Sequence, residues 1–485
     1  MTISSTLASA LSGLTAASKR AELVSSNIAN ATTPGYGRRQ LQVTARNVGT
    51  SGQGVAIVGV DRTANPALIS DRRLAQSTQG EADAKSAFYQ RIETQMGTPD
   101  QAYSVNGRVA ALDSALAEAI SHPESEPRLN SVLNAAKGIA RSIVAIGKDI
   151  QAARTAADTE IAAQVQQLNT GLERATKLNV QIRKGSGIGQ DTAALQDQRQ
   201  QVIDQIAKIV PLREVPQSDG TVSLYTTTGG VLLDGIPSVF GFTRTSAISP
   251  PMTLQSGGLS GLTLNGKATP TSGDSSVILG GSLAGNFAVR DDLAVTAQSQ
   301  IDAVARDLVE RFQDSGLDTT RASGDPGLFT DTGAAFDPLN EVGLAQRLTV
   351  NAAVDPAKGG ALWKIRDGLG AAVPGTVGNS ALLTGLRAAL TSEHSPASGG
   401  FMSGARSFSA LASDLLSSAA SNKLAAEGEA TYAAARLDTF TSMEAQGGVD
   451  TDQEMQDLLQ IEQNYAANAK VIKTVDDMIK TLMDM

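Results

Sequence analysis

Hydrophobic positions recur every seven residues at both ends of the chain. Near the start, Leu7, Leu14, Ala21 and Ile28 lie seven apart, and Ala10, Ala17 and Val24 follow three positions later. Near the end, Leu458, Tyr465, Ile472 and Ile479 repeat the spacing, and Ile461, Val475 and Leu482 form a second column broken only by Asn468. Such a/d seams predict coiled-coil helices. Both are thin, with alanine, serine and asparagine filling much of them, and a helix of this kind alone is marginal in water. The spacing therefore predicts that the end helices pair with one another, with neighbouring copies, or both. "TDQE" (451–454) predicts a capping box at the start of the last helix, Thr451 at N-cap and Glu454 at N3.

Between the ends the period changes several times. Leu41 and Val43 alternate with polar residues, and residues 55–60 form a second β-like run. Gly49, Gly52 and Gly54 supply the turn of a hairpin. Helical patterns run from near Asp71 to Met96 and from Val105 to Ser121. The longest regular pattern alternates steps of three and four from Leu129 to Ala157, then continues from Ile161 to Ala175 after one extra four-residue step. That step is a stutter, which unwinds a supercoil locally without ending the helix. One helix over 128–184, roughly 55 residues and about 85 Å long, is predicted. "KGSGIGQD" stops it, and Asp191 is expected to cap a returning helix through Leu195, Val202, Ile206 and Ile209, which makes a long antiparallel hairpin.

From 211 to about 281 period-two alternation around Asp-Gly and Gly-Gly predicts β-hairpins. Helix resumes over 293–312, and again over 407–443 and 452–485. The predicted fold class is mainly α with a β-rich insertion: a long helical hairpin and bundle core, paired N- and C-terminal coiled-coil helices and a smaller β subdomain. The boundaries expected are 66–210, 286–317 and 401–443 for the bundle, 211–285 for the β subdomain, and 318–400 for a small irregular outer module rich in Gly, Pro, Asp and Ala.

Composition narrows the function classes. A chain of 485 residues forms two or three domains. Aromatics are 4% of residues, with Trp363 the one tryptophan, so the helices pack through small side chains. A formal charge of −9 lacks the basic footprint of a nucleic-acid binder. Without cysteine there are no disulfides or thiolate metal sites, and two histidines, His122 and His394, do not make a His-rich zinc site. No window reaches the 18 or so apolar residues of a membrane span. The first residues lack a positive cluster and a continuous apolar core, which predicts a chain that is cytosolic or leaves the cell by a route reading no cleaved signal.

No catalytic constellation emerges. "GSGIG" (185–189) follows a helix where a phosphate loop would follow a strand, so it reads as a turn between helices. Asp291-Asp292 and Asp476-Asp477 are adjacent on helices, point about 100° apart and read as solvated faces. His122 and His394 sit in loops without an evident nucleophile. Trp363 reads as a local core anchor. Neither an enzyme nor a bound cofactor or metal is expected.

"SSNIANATTPGYGRRQ" (25–40) ends the first heptad helix with a specific stop. Asn30 suits a left-handed C′ position, Pro34 pushes Thr33 extended, and Pro34-Gly35 are central residues of a type II turn that returns Tyr36 to the helix. The string resembles the N-terminal signature of the axial proteins of the bacterial flagellum, the rod, hook and hook-associated proteins. "NYAANAKVI" and "TVDDMIKTL" in the last forty residues are similar to the C-terminal helix of that family. The helical hairpin, "LQDQRQQVIDQIAKIV" and "LGGSLAGNFAVRDD" are similar to its hook-associated members at the start of the filament.

The resemblance implies a structural junction adaptor between hook and filament, exported unfolded by the flagellar type III apparatus and polymerised extracellularly at the hook tip. Residues 1–65 and 444–485 would form an inner-tube domain, disordered in the monomer. Implied partners are copies of the chain, hook protein, the next hook-associated protein, and an export chaperone at the C-terminal helix. Implied assembly residues are Leu7, Leu14, Asn27, Ile28, Asn30, Pro34, Gly35, Tyr36, Leu458, Tyr465, Ile472, Val475, Ile479 and Leu482. The alternatives are another axial subunit (hook, distal rod or flagellin-like) and, more remotely, an axial protein with an enzymatic insert.

Overall fold

The computed structural model describes residues 3–48, 51–98, 100–273, 275–314 and 316–484. Its helices are α1 (Ile3–Ala29), α2 (Pro66–Met96), α3 (Val105–Ser121), α4 (Glu126–Gly187), α5 (Ala193–Ile209), α6 (Gly281–Ala288), α7 (Ala294–Gln313), α8 (Leu344–Arg347), α9 (Lys364–Asp367), α10 (Ala381–Thr391), α11 (Phe408–Gln446) and α12 (Thr451–Met483). The strands are β1 (Arg38–Val48), β2 (Ser51–Thr63), β3 (Leu212–Pro216), β4 (Val222–Thr226), β5 (Val231–Asp234), β6 (Ile236–Pro237), β7 (Phe240–Gly241), β8 (Leu262–Leu264), β9 (Lys267–Thr269), β10 (Phe329–Asp331) and β11 (Leu348–Val350). They form small antiparallel sheets in the orders β1-β2, β3-β4-β5-β6, β7-β8-β9 and β10-β11. The fold is mainly α with small β elements, as the periodicity predicts.

α4 organises the body. It is 62 residues long, about 93 Å at 1.5 Å per residue. Pro127 in its first turn is pre-set for a helix start, and Gly189 at φ +71° follows its end. Every apolar position of the 3-4 pattern from Leu129 to Ala175 is buried. The stutter has a structural counterpart. Up to Ala157 the stripe belongs to a core shared with α2, α3, α7, α10, the start of α11, and Phe329, Leu344, Val354 and Ile365 from the irregular stretch. From Ile161 it belongs to a second core with α5, α6 and the strands β3 to β5.

Where one core gives way to the other, the buried side chains are polar. Asp158 and Arg290 are both fully buried and pair at 2.7 Å. Asp158 also accepts from the Thr245 amide at 2.7 Å, and Arg154 donates to the carbonyls of Arg290 (2.9 Å) and Met252 (2.6 Å). A π-helical turn, residues 289–293, joins α6 to α7 and sets Arg290 into this junction.

Several local expectations need correction. Helix begins at Gly281, earlier than expected, because the π turn shifts the 3.6 period and hides α6 from pattern reading. Asp291 is not a solvated carboxylate: both its oxygens take hydrogen bonds from Arg290 at 2.8 Å, whereas Asp292 is exposed. The N-cap of α5 is Thr192, whose side chain caps no backbone amide, and Asp191 acts one residue earlier by accepting from the Ala193 amide at 2.9 Å. Of the hairpin glycines, Gly52 and Gly54 lie within β2, and Gly49 lies outside the described residues.

α2 and α11 form an antiparallel pair. Arg72 binds Glu444 at one end, and Lys423 Nζ reaches Glu93 at 2.7 Å toward the other. Ala419, Ala426 and Ala433, seven apart, are its buried face on α11, where small side chains let two helices approach closely.

Candidate functional site

The site lies where the chain's two ends meet. α1 and α12 pack antiparallel: a Cβ built on Gly13 would stand 2.8 Å from Asn468 Oδ1, and Asn27 Nδ2 donates to Glu454 Oε2 at 3.0 Å. Fourteen residues separate the contacts on each helix (27 − 13 and 468 − 454), so the register is continuous. The asparagine that breaks the apolar column thus lies against a glycine that makes room for it. Ala17, Val24 and Ile461 are buried between the helices, with Ala21, Ile28 and Leu458 partly so. The hairpin β1-β2 lies along α1, where the Val55 amide donates to Ser12 Oγ at 3.1 Å. Gly54, at φ +90°, rests so close to Ser9 and Ser12 that no side chain fits there.

The residues of the helix stop form a hydrogen-bonded node. Tyr36 N donates to Thr33 O at 3.2 Å and Gly35 has φ +78°, the type II turn expected around Pro34-Gly35. Asn30 is not left-handed. Its side-chain Nδ2 closes the helix instead, donating to the Ser26 carbonyl at 2.9 Å. Asn27 is 1% exposed and uses its whole amide. Its oxygen accepts from Tyr36 Oη (2.8 Å) and the Arg39 amide (3.0 Å), and its Nδ2 donates to Arg39 O (2.9 Å) besides Glu454. The Arg39 guanidinium lies 4.9 Å from the Tyr36 ring centre.

Glu454 is likewise 1% exposed, and its Oε1 meets Arg38 Nε at 2.6 Å. The capping box is therefore corrected. Asp450 is the N-cap, accepting from the Asp452 and Gln453 amides at 2.9 and 3.1 Å, which frees Glu454 to bind α1 and β1. On the opposite side of the strand Arg39 pairs with Asp197 of α5 at 2.8 Å, as alternation along β1 requires. Asp197 also takes the Gly37 amide (3.1 Å) and Arg62 Nε (2.6 Å). Gln201 donates to Pro34 O at 3.0 Å. Beyond them Asp204 of α5 holds Arg72 and Arg73, each at 2.6 Å. Three successive groups of ion pairs thus link the end pair to the body.

Of the residues singled out in the sequence, the node unites Asn27, Asn30, Pro34, Gly35 and Tyr36. Leu14, Ile28, Leu458, Ile472 and Ile479 lie half-buried along the end pair and Val475 is buried. Leu7, Tyr465 and Leu482 are exposed, the last two by 50% and 61%, and Tyr465 lines an open groove with Leu14, Ser18 and Glu22 of α1 and Ile57 of β2. Glu454, Arg38, Arg39, Arg62 and Asp197 were not anticipated. The paired arginines at a strand start carried a signal, since neighbours in a strand address opposite faces. Among the described residues no cluster of His, Cys, Asp and Glu could hold a metal ion, and no helix is long and apolar enough to cross a membrane.

Comparison with known proteins agrees with this division. Residues 89–329 match the family described as the flagellar hook-associated protein FlgK helical domain. Residues 444–485 match the flagellar basal body rod FlgEFG protein C-terminal family, and 7–36 the flagella basal body rod protein family. Flagellar hook-associated protein 1 of Salmonella typhimurium is 26% identical over 240 residues, 48% of this chain and 43% of the relative's length. The match thus spans less than half of that relative. The Bacillus subtilis protein of the same name is 21% identical over 496 aligned positions, covering 94% of this chain and 93% of its own. A solved structure of the flagellar hook junction protein FlgK from Burkholderia pseudomallei is similar at TM-score 0.44 and 17% identity, over 54% of this chain and 46% of that one. Through its helical middle the chain is thus similar to flagellar hook-associated protein 1, and through both its ends to flagellar rod proteins.

Proposed function

We propose that the protein is the junction adaptor between hook and filament, exported unfolded by the flagellar type III apparatus and polymerised outside the cell at the hook tip. The observation that carries this reading is the end pair. Its buried seam is narrow, Ala17, Val24 and Ile461 with Val475 further along α12, while Leu7, Leu11, Leu459, Val471 and Leu482 stay exposed. So narrow an apolar seam lets the ends stay unfolded during export and close afterwards, and the exposed apolar positions suit neighbouring copies. Repeating one head-to-tail contact about an axis builds an open helical array. Hook protein below and the next hook-associated protein above are the partners this reading assigns to its two ends.

In a strain lacking the protein, electron micrographs are expected to show hooks without filaments, with flagellin in the medium. Intact filaments contradict the junction reading. The rod-type matches of both ends favour, as a second reading, another axial subunit; missing hooks in the same strain establish it.

Before export, a chaperone that covers the half-buried and exposed apolar positions of α12 belongs to the same reading. Replacing Ile472 and Ile479 by glutamate is expected to abolish its binding to the purified chain. Unchanged affinity contradicts that part.

A further inference from the structure

Between α2, α5 and the β3–β4 turn lies a cavity of 330 Å³ lined by three arginines, Arg62, Arg73 and Arg199, and a single carboxylate, Glu214. Two of the arginines are committed elsewhere. Arg62 binds Asp197 and the Gly35 carbonyl, and Arg73 binds Asp204 and Glu214. Arg199 differs. It is 8% exposed, and its Nη1 donates to two neutral oxygens, Asn179 Oδ1 at 2.9 Å and Gly220 O at 2.8 Å. Among the described residues no carboxylate pairs with it. Burial lowers its pKa; Glu214 opposes this, and repulsion from Arg62 and Arg73 adds to it. A buried charge without a counter-charge is costly, and apolar walls such as Ile69, Leu212 and Val222 strengthen its attraction for an anion.

We propose that this cavity binds a carboxylate, and that its occupant is an acidic side chain of a neighbouring copy of the chain. The volume accepts one Asp or Glu side chain and excludes a helix. Glu214 in the same wall favours a single negative charge over a double one. The occupant follows from charge complementarity, since each copy carries a formal −9 and offers many surface carboxylates. Arg62 connects the cavity to the Gly35 turn, so a neighbour seated there is read directly by the node. The choice of occupant rests on the proposed polymerisation; the carboxylate site does not.

The test titrates the 15N-labelled full chain with sodium propionate, a bare side-chain carboxylate, against sodium chloride at equal ionic strength. The Arg199 Nε–Hε resonance is expected to move to a plateau with propionate only. Gln196→Glu sets a carboxylate three residues before Arg199 on the same helix, within the cavity wall. It should abolish the propionate response and, by sedimentation, weaken self-association about tenfold. Arg199→Gln identifies the resonance by its loss, and circular dichroism checks that the variant folds. A response that never saturates, or that survives in Gln196→Glu, overturns the site. Saturable propionate binding with self-association unchanged in Gln196→Glu overturns the neighbour as occupant. Intact filaments on the deletion strain would refute the junction reading and leave the propionate titration unaffected.

Discussion

Replacing Glu454 with alanine is expected to loosen both terminal helices from the body while leaving α4 untouched. Glu454 is nearly inaccessible and answers two buried donors at once, Arg38 Nε and Asn27 Nδ2. Removing one partner of a buried charged pair costs about 3–5 kcal/mol, because the other charge is left without compensation. Arg38 retains some access to water, being 17% exposed, and a second contact with Asp457 at 3.4 Å, so the lower end of that range applies. The apolar contribution opposing release is of similar size, so the ends open more often without detaching outright. Val24, Ile461 and Val475 supply about 1.5–3 kcal/mol each as an upper bound, and the alanines less. A loss near 3 kcal/mol corresponds to about a hundredfold in an opening equilibrium. Amide hydrogen exchange in α1 and α12 should accelerate by that factor, with rates in the first half of α4 unchanged. Equal exchange in the variant and the parent would show that the node does not hold the ends.

The second large effect belongs to the body. Asp158→Ala leaves Arg290 buried with Asp291 as its one remaining carboxylate, at the point where two cores meet on α4. Burial works against the charge on Arg290, and Asp291 and Asp158 together hold its pKa above the ordinary guanidinium value. The expected loss is again about 3–5 kcal/mol in denaturant unfolding. Converting Arg290 to methionine in the same chain should restore much of it, because the guanidinium lies against the rings of Phe242 and Phe287, which accept an apolar side chain. A double variant no more stable than Asp158→Ala would mean that backbone bonds, such as Arg290 to Ser260 O at 3.0 Å, outweigh the ion pair.

These two sites show where sequence reading reaches and where it ends. The stripe of α4 was legible position by position, because a 3.6 period over 62 residues tolerates few alternatives. The stutter was legible as an irregularity, yet its use was not. Asp158 meets a partner 132 residues away, and no local pattern encodes that distance. The π turn misled for a related reason: one extra residue per turn shifts the very period used to find a helix. At the ends, the heptads of α1 and α12 were plain, but the side turned inward was not. Gly13 opposite Asn468 favours the column of Ile461 and Val475, leaving Tyr465 half exposed at the edge of the pair. Glu454 fitted a capping box, and the competing cap, Asp450, is one residue earlier and equally suited. The turn chemistry of Pro34-Gly35 was readable because it is local. The ion pairs of Arg38, Arg39 and Arg62 depend on α5 and α12, which only the folded chain brings together.

Everything proposed for assembly depends on the two ends of one chain closing on each other in antiparallel register. The chain has no cysteine, so a variant with Gly13→Cys and Asn468→Cys carries a single possible cross-link within one chain. Asn468 Cγ, where a cysteine sulfur would sit, is 3.0 Å from a Cβ built on Gly13, within reach of a disulfide. After oxidation of hook–filament structures isolated from cells, the variant should run on a non-reducing gel as a cross-linked single chain. Chains joined to their neighbours, or no cross-link at all, would contradict the account.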